Sequence, residues 1–225
     1  MFSEIQSALV ISPHPDDETL GCGGVLKRLS SAGVGTAVLT VAGPRPPIYS
    51  EETIRSSMEE ALKAHAILGV KESIFLDKPA AMVAQTPHYQ LNSEISEVIR
   101  RLQPQLVLIP FVDRMIDHRT IFDSAMVATR PVESARSIRI LAAYEVLSET
   151  PWTAPGIEPS FHPSWFVDIS GFIEDKLRAM ACYRSQVHSF PRPRSLEALK
   201  SLALYRGSTI GAGYAECFHI IRQIS

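Results

Sequence analysis

The sequence contains no long apolar run, and its charges are few and nearly balanced. Of its 225 residues, 22 are lysine or arginine and 24 are aspartate or glutamate, which gives a net charge of −2. A membrane-spanning helix needs about 20 consecutive apolar residues, and binding to nucleic acid or to an anionic membrane surface needs a basic excess. We therefore expect no membrane span and no nucleic-acid partner.

Cysteine is equally scarce. The three cysteines, Cys22, Cys182 and Cys217, are odd in number and far apart in the chain. This pattern predicts reduced, buried thiols rather than a disulfide framework, and it excludes a zinc site made of four cysteines. The first residues lack a basic segment followed by an apolar core, so no secretory signal is predicted. Together these features favour a cytoplasmic protein.

What the sequence does contain is an ordinary globular composition. Hydrophobic residues make up 45% and charged residues 20% of the chain, which is typical of a folded domain. No internal repeat, low-complexity tract or break in composition divides the chain. We therefore predict a single domain over residues 1–225.

Short apolar runs alternate with helical patterns up to about residue 129. Strands are predicted at residues 7–12, 36–41, 73–76, 106–110, 139–147, 165–170 and 216–224. Helices are predicted at residues 17–32, at 51–69 with Ser50 as the cap, after a cap at Asn92, at about 121–129, and twice more before the last strand. This alternation favours an α/β fold with a mostly parallel sheet and helices on both faces.

Two polar clusters follow predicted strands. Residues 14–18 place a histidine, two aspartates and a glutamate behind the first strand, and residues 113–118 follow the fourth strand. Ligands of an open parallel sheet bind beyond the carboxyl ends of its strands, where the strand order reverses. Because the first and fourth strands can be neighbours at that point, we predict that both clusters line one crevice.

The residue types of these clusters suit a metal ion and a base. Neutral imidazole and carboxylate are zinc ligands, and three protein ligands leave a position for water. A bound metal lowers the pKa of that water toward about 7, and a second carboxylate beside it can accept the proton. Taken alone, Asp16 or Asp17 is equally well explained as a helix N-cap. An isolated histidine such as His118 is more often a surface or satisfied histidine than a ligand. The joint placement of the clusters favours the metal site.

Three glycines, Gly21, Gly23 and Gly24, lie early in the first predicted helix, where each costs about 1 kcal/mol relative to alanine. They do not extend to the pattern G-x-G-x-x-G, and no P-loop lysine follows, so a phosphate site is disfavoured. We predict close packing against a neighbouring backbone instead. Near the end of the chain, Glu216 is predicted to tie down the last strand through a backbone contact.

The string PHPDDE at residues 13–18 resembles the AHPDDE signature of the PIG-L/LmbE family of zinc-dependent N-deacetylases. DHR at residues 117–119 resembles the second metal motif of the family. Later stretches resemble further landmarks, in the order in which the family has them: AYEVLSETPW, FVDIS, YRSQ and YAECF. The resemblance therefore covers nearly the whole chain, and it implies a Rossmann-like fold.

The resemblance also implies a role for each matching residue. His14, Asp17 and His118 would bind Zn²⁺, and Asp16 would be the general base that activates water at the metal. Asp117 would hold an imidazole or a substrate group. The implied reaction is hydrolysis of an N-acetyl or related acyl amide on a small amino sugar, often N-acetylglucosamine joined to another moiety. The implied assembly is a small homo-oligomer.

One position departs from the pattern of the family. The second motif often reads D-x-H-P-D-H, whereas this chain has DRMIDH, with Met115 in place of a histidine thought to help stabilise the oxyanion. A thioether cannot donate a hydrogen bond, and loss of one oxyanion donor costs about 2.7–4 kcal/mol in another hydrolase. Either Arg114 or a residue such as His188 replaces the histidine, or the activity is slower or directed elsewhere.

Four residues are candidate substrate contacts: Arg55, Arg114, Tyr144 and His188. A solvated position on a helix explains Arg55 better, and packing within a strand explains Tyr144 better. Two alternatives stay open for the function. The carboxylate-rich turn could bind Mg²⁺ for phosphate-ester hydrolysis, although histidine ligands argue against Mg²⁺. Alternatively, Met115 marks a family member that binds a metal but has lost or reduced catalysis.

Overall fold

The computed structural model describes residues 4–132 and 135–224. Its strands are β1 (Ser7–Ser12), β2 (Gly35–Gly43), β3 (Glu72–Pro79), β4 (Leu106–Pro110), β5 (Ile140–Tyr144), β6 (Trp165–Asp168) and β7 (Ala215–Gln223). Its α-helices are α1 (Asp17–Ser31), α2 (Glu51–Leu68), α3 (His88–Leu102), α4 (Ile116–Ala128), α5 (Ile173–Met180) and α6 (Leu196–Ser208). Within this described part of the chain, no helix combines the length and the apolar character needed to cross a bilayer.

The strands form one seven-stranded sheet in the order β3-β2-β1-β4-β5-β7-β6. β1 pairs in parallel with β2 on one side and with β4 on the other, and the pairs β2–β3 and β4–β5 are parallel as well. β7 runs antiparallel to both β5 and β6. The predicted α/β class with a mostly parallel sheet is confirmed, and the strand order reverses between β1 and β4.

Helices cover both faces of this Rossmann-like sheet because its central strands are apolar on both sides. In β1, Leu9 and Ile11 pack in the layer that contains α3 and α4, whereas Ala8 and Val10 pack in the layer that contains α1, α2 and α5. Successive side chains of a strand alternate between its faces, and all four of these are buried. The carboxyl end of β1 is therefore held from both sides.

Two helix starts in the middle of the chain differ in how well they were predicted. Ser50 caps α2 as expected, since its Oγ accepts a hydrogen bond from the backbone N–H of Thr53 at 3.2 Å. The predicted cap at Asn92 is wrong, because α3 already begins at His88 and contains Asn92. Pro87 stands directly before the helix, where its fixed backbone angle and missing N–H are tolerated.

Two further boundaries near the polar clusters are corrected. α4 begins at Ile116 rather than near residue 121, because the carboxylate of Asp113 accepts a hydrogen bond from the backbone N–H two residues further on, at 3.0 Å. β5 ends at Tyr144 instead of continuing to residue 147, since the apolar residues that follow leave the sheet for a turn. The second polar cluster therefore lies partly within the first turn of a helix.

The glycines of α1 are explained by close packing, although their neighbours are side chains and not the predicted backbone. A Cβ atom added to Gly21 would lie 2.2 Å from the ring of Tyr144, and one added to Gly24 would lie 2.7 Å from Ile169. Both distances are far below van der Waals contact. The glycines thus allow α1 to approach β5 and the chain that follows β6.

The predicted backbone contact of Glu216 is confirmed. Its carboxylate, on β7, accepts hydrogen bonds from the backbone N–H groups of Gly24 at 2.8 Å and Val25 at 2.7 Å. Lys176 of α5 forms an ion pair with the same carboxylate and also donates to the carbonyl of Leu20. These buried contacts attach α1 to the antiparallel edge of the sheet, on the far side from β1.

Candidate metal centre and active site

The two polar clusters lie side by side because β1 and β4 are adjacent parallel strands. Ala8 pairs with Leu106 and Val10 with Leu108, so the loops after the two strands leave the same edge of the sheet. The first loop leads into α1 and the second into α4. The predicted crevice at the point where the strand order reverses is therefore present.

Three side chains, one from the first loop and two from the first turns of α1 and α4, converge on one point. His14 Nδ1 lies 3.3 Å from Asp17 Oδ2, and His118 Nε2 lies 3.2 Å from the same oxygen. One ligand atom from each of the three residues lies within 4.8 Å of the others. Two ligands that bind one zinc ion at about 2.0–2.1 Å and at a tetrahedral angle lie about 3.3 Å apart. The spacing and the donor atoms therefore fit a tetrahedral divalent ion.

Each imidazole is oriented by a second carboxylate. Asp117 Oδ2 lies 2.9 Å from Nε2 of His14, and Asp113 Oδ2 lies 3.0 Å from Nδ1 of His118. The other nitrogen of each ring, Nδ1 of His14 and Nε2 of His118, is the one that lies near Asp17. Histidine ligands of metals typically donate their other N–H to a carboxylate in this way, which fixes the ring and makes it a better ligand.

Asp117 is itself held in place by the backbone of the segment between β3 and α3. Its carboxylate accepts hydrogen bonds from the N–H groups of Ala81 at 2.6 Å and Val83 at 3.2 Å. Burial tends to raise the pKa of Asp117, but its hydrogen bond to His14 and these backbone contacts lower it overall. Asp117 is therefore a fixed anion against the imidazole of His14.

The three converging residues shift one another's pKa values. Burial alone would lower the pKa of His14 and of His118, but the neighbouring carboxylates outweigh it and raise the values to about 9 and about 10. Burial would raise the pKa of Asp17, and the two imidazoles instead hold it well below its usual range. Because a metal ligand must give up its proton, a bound cation would replace protons on these rings.

One oxygen of Asp17 supports the fit of a cation. Oδ1 of Asp17 is buried and has no hydrogen-bond partner among the described residues, whereas Oδ2 accepts from the backbone N–H of His14 at 3.0 Å. A buried carboxylate oxygen without a partner is costly. A divalent ion bound by the carboxylate of Asp17 would offset this cost.

Asp16 has a different environment from its neighbour. Its backbone has a φ of 114°, in the left-handed region, a conformation that costs some strain in a residue other than glycine. Asp16 stands at the N-cap position of α1, but its side chain makes no capping hydrogen bond. Its Oδ2 is buried without a hydrogen-bond partner in the described part of the chain, and Nε of Arg194 lies 3.5 Å away.

The pKa of Asp16 is shifted in the direction opposite to that of Asp17. Burial raises it well above its usual value; the positive charge of Arg194 opposes this, and the negative charges of Asp17 and Glu18 add to it. Two adjacent aspartates thus have separate properties, because only Asp17 faces the imidazoles. A raised pKa suits a carboxylate that accepts and returns a proton.

The strained turn is held by Glu18, whose contacts no sequence pattern had indicated. Its carboxylate accepts hydrogen bonds from the backbone N–H of Asp16 at 3.2 Å and from Ser12 Oγ at 3.1 Å. The hydroxyl of Tyr183 also donates to it, and Nε2 of His65 lies 3.6 Å away. Tyr183 belongs to the YRSQ stretch, so only its place in a family motif could have marked it.

A cavity of about 200 Å³ opens beside the convergence point. It is lined by side chains from four separate parts of the chain: His14, Asp16, Tyr49, Thr53, Ser57, Met115, Ser185, Gln186 and Arg194. Most of them carry a hydroxyl, an amide or a charge, whereas Met115 contributes a thioether. Sequence reasoning had singled out His14, Asp16 and Met115, and it missed the hydroxyl-bearing residues and Arg194.

The four residues predicted as candidate substrate contacts are not part of the cavity lining. Tyr144 is fully buried and donates to the carbonyl of Ile11 at 2.9 Å. This placement agrees with packing, the better of its two explanations from sequence, and not with a substrate contact. Arg55 on α2 and His188 in the loop before α6 are exposed and do not line the cavity. Arg114 is also largely exposed; it forms an ion pair with Glu149 at 2.9 Å.

The fold and the site define a Rossmann-like α/β protein with a histidine–aspartate cluster at the switch point of its sheet, and a comparison with family models identifies the family. Residues 9–129 match the model described as PIG-L: GlcNAc-PI de-N-acetylase. This match spans more than half of the chain, and the chain belongs to the PIG-L family. The family acts as an N-deacetylase, so the protein is placed among amide hydrolases.

Relatives of known sequence or structure extend the likeness to the whole chain. Diacetylchitobiose deacetylase of Thermococcus kodakarensis is 29% identical over 234 residues, which cover 99% of this chain and 86% of that protein. The crystal structure of the conserved protein TT1542 from Thermus thermophilus is 31% identical, with a TM-score of 0.78 over 98% of this chain and 96% of that one.

A third structure shows that the fold alone does not decide the chemistry. GalB, the 4-carboxy-2-hydroxymuconate hydratase from Pseudomonas putida, has a TM-score of 0.79 at 20% identity, over 98% of both chains. One fold therefore carries reactions of different classes, and the function has to be argued from the site.

Proposed function

We propose that the protein is a Zn²⁺-dependent N-deacetylase of small N-acetylated amino sugars. The observation that carries this proposal is the convergence of His14, Asp17 and His118, with Asp16 beside them and free of the ligand set. These three residues would hold the ion. When bound, zinc lowers the pKa of water and polarises a carbonyl group. Mg²⁺, required by the phosphoesterase alternative, prefers oxygen ligands and fits two imidazoles poorly.

Asp16 is the proposed general base. Its Oδ2 accepts a proton from the attacking water, the water oxygen bonds to the amide carbon, and the carbonyl π electrons move onto the carbonyl oxygen. The C–N bond then breaks as those electrons return, and the nitrogen takes the proton from Asp16. The products are a carboxylic acid and an amine, and transfer of the acid proton to the amine gives a carboxylate and an ammonium ion. Asp117 and Asp113 act as positioning residues, since each contacts an imidazole and not the substrate.

The proposed substrate class is supported by the lining of the cavity. Tyr49, Thr53 and Ser57 are hydroxyl-bearing residues of the lining. Ser185 and Gln186 also line it, and their side chains are joined to Glu60 and Arg194 by hydrogen bonds at 2.7 Å and 2.6 Å. Such groups can donate and accept hydrogen bonds with the hydroxyls of a sugar ring. The likeness to a diacetylchitobiose deacetylase points to the same class.

The first experiment measures the metal and the product together. We expect about one zinc per chain, as a single three-ligand site requires, and release of acetate from N-acetylglucosamine or diacetylchitobiose. Asp16→Asn should retain the zinc and lose about 100- to 10,000-fold in kcat, the usual contribution of a general base. Asp123→Asn, a matched change on the exposed side of α4, should be active. Full turnover in Asp16→Asn would refute the assigned base.

The same experiment separates the alternatives. Magnesium in the purified protein, together with phosphate-ester hydrolysis, would establish the phosphoesterase. Zinc and tight sugar binding without acetate release would indicate a family member with lost catalysis, for which Met115 in the cavity lining is the motivating feature.

We also propose a cytoplasmic location and a small homo-oligomer. The location is supported by the free state of Cys22, Cys182 and Cys217, which suits a reducing compartment. The assembly is what the resemblance to the family implies, and Leu62 of α2 and Leu204 of α6, which are 47% and 53% exposed, are candidate contacts for it. Microscopy of the tagged protein in its host cell tests the location. Light scattering of the purified protein tests the assembly.

A further inference from the structure

An arginine that no metal motif contains reaches into the cavity. Arg194 lies just before α6, about 80 residues after the second polar cluster, and its side chain is 23% exposed. Nε of its guanidinium lies 3.5 Å from Oδ2 of Asp16. Among the described residues that line the cavity, Arg194 is the one lysine or arginine.

The guanidinium is held in a fixed orientation. Its Nη1 donates a hydrogen bond to Oε1 of Gln186 at 2.6 Å, and its Nε donates to Oγ of Ser148 at 3.1 Å. The backbone carbonyl of Arg194 accepts from the N–H of His188 at 3.1 Å, and the next residue, Ser195, caps α6. Such a group needs little reorganisation when a charge develops next to it.

One donor group of this guanidinium is unused. The described residues provide hydrogen-bond acceptors for Nη1 and Nε, and none of them accepts from Nη2. An arginine remains protonated throughout the accessible pH range and presents its donors as a planar fork that matches a carboxylate. A partly buried guanidinium with a free donor in a cavity is therefore suited to bind a small anionic oxygen group.

The residues expected to stabilise the oxyanion do not face the cavity. Arg114 is occupied by Glu149, and His188 is exposed and contributes only its backbone N–H to this region. Met115 does line the cavity but has no donor. Arg194 is thus the cationic donor that remains beside the reacting groups.

We propose that Arg194 is a catalytic residue of the deacetylation. Through Nη2 it donates to the carbonyl oxygen as that oxygen becomes negative, and then to the carboxylate of the acetate product. The guanidinium keeps its proton throughout, so the proton of the attacking water still passes through Asp16 to the leaving nitrogen. This inference rests on the proposed function, and it makes Arg194 the group that takes over the task of the histidine replaced by Met115.

The test compares Arg194→Met and Arg194→Lys with wild type in zinc-loaded full-length protein. The matched control is Arg192→Met, an exposed arginine of the same loop. We expect Arg194→Met to lose about 100- to 1000-fold in kcat, as for loss of one oxyanion donor, with KM for the sugar changed by less than about threefold. Arg194→Lys should recover part of kcat, because lysine restores the positive charge but not the planar set of N–H donors of a guanidinium.

Acetate itself is the second readout, which a purely structural role would not move. Acetate titrated into the protein, followed by calorimetry or as a product inhibitor, should bind about tenfold more weakly to Arg194→Met than to wild type, since a charge-assisted hydrogen bond is lost. The Arg192→Met control should bind acetate as wild type does. Undiminished acetate affinity or undiminished kcat in Arg194→Met, with its fold intact by thermal unfolding, overturns the proposal.

Two further outcomes are informative. If Arg194→Met does not fold, Gln186→Leu removes the acceptor that orients Nη1 and should lower both kcat and acetate affinity; no change in either overturns the proposal. If wild type binds acetate in a manner that depends on Arg194 but releases none from any N-acetylated sugar, the deacetylase assignment fails while the carboxylate site at Arg194 is supported.

Discussion

At the scale of single residues, two adjacent aspartates have opposite electrostatic properties. Asp17 faces two imidazoles, which hold its pKa low, whereas burial holds the pKa of Asp16 high. The two carboxylates have different partners, since Asp17 lies against the imidazoles of His14 and His118 and Asp16 lies near the guanidinium of Arg194. A ligand and a base can therefore occupy consecutive positions in the chain.

The carboxylate behind His118 allows a prediction about metal affinity. Asp113→Asn should weaken zinc binding about 10- to 100-fold, because an amide orients the imidazole less well and makes it a poorer ligand than a carboxylate does. Competition with a chromogenic chelator measures the affinity. Asp123→Asn on the exposed side of α4 serves as the control. Equal affinity in Asp113→Asn and wild type would show that the contact with His118 does not tune the site.

The raised pKa values of the two histidines predict how the metal-free protein responds to pH. His14 and His118 titrate with pKa values of about 9 and about 10 in the folded chain, above the ordinary value of 6.5. A raised folded-state pKa contributes stability that is complete below about pH 6.5 and is lost as the pH rises through 9 to 10.

Urea unfolding of chelator-treated protein between about pH 6.5 and 10 is the measurement. The free energy of unfolding should fall across this range, and His118→Gln should show a shallower fall because one of the two groups is gone. A free energy that stays level or rises toward the upper end of the range would contradict the assigned shifts.

At the scale of secondary-structure elements, α1 is positioned by its glycines and by the carboxylate of Glu216. The helix carries Asp17 at its first residue, so its distance from the sheet sets the position of a candidate ligand. Gly21 allows the ring of Tyr144 to pack directly on the helix, and Glu216 accepts from two backbone N–H groups on the same side. Packing of the helix and geometry of the site are therefore linked.

Gly21→Ala tests this link. The added methyl group would overlap the buried ring of Tyr144, and overpacking of this kind costs about 1–3 kcal/mol. We expect that loss in the free energy of unfolding, together with weaker zinc binding as α1 moves outward. Gly171→Ala is the matched control, since a Cβ there meets no atom within 4 Å. Equal losses in the two variants would argue against the packing explanation.

At the scale of the whole molecule, the sheet order brings the candidate metal ligands together. β1 and β4 are neighbours although about 100 residues separate them in the chain. A cation that binds His14, Asp17 and His118 therefore joins the two halves of the parallel sheet and binds only the folded chain. Metal binding should consequently stabilise the whole domain and not one loop.

Removal of the metal measures this effect. At a free zinc concentration of about 100 times the dissociation constant, binding adds about 2.7 kcal/mol, which for a chain of this size raises the melting temperature by roughly 5–10 °C. Thermal unfolding with zinc and with a chelator gives the difference. His118→Ala should unfold at the same temperature in both conditions, and an unchanged melting temperature in wild type would show that no ion bridges the two loops.

The predictability of the fold and of the site differed from element to element. Strands β1 and β4 were predicted with the observed bounds, because uninterrupted buried runs are visible in the residue pattern itself. The start of α3 was misplaced at Asn92, since a polar residue inside a helix looks the same in sequence as a cap. Tyr144 was named as a candidate substrate contact, with packing within its strand as the better explanation, and it lies in the core. Position near a strand end does not say which face a side chain occupies.

The sequence by itself determined the local chemistry: which runs become strands, where histidines and carboxylates cluster, and which family motifs they resemble. Only the tertiary structure decided that His14 and His118 share one oxygen of Asp17, that Glu18 and Tyr183 brace the turn, and that Arg194 reaches Asp16. The physical reason is distance along the chain. Helix and strand patterns are set by neighbours a few residues apart, whereas these contacts depend on how the packed sheet and helices bring remote loops together.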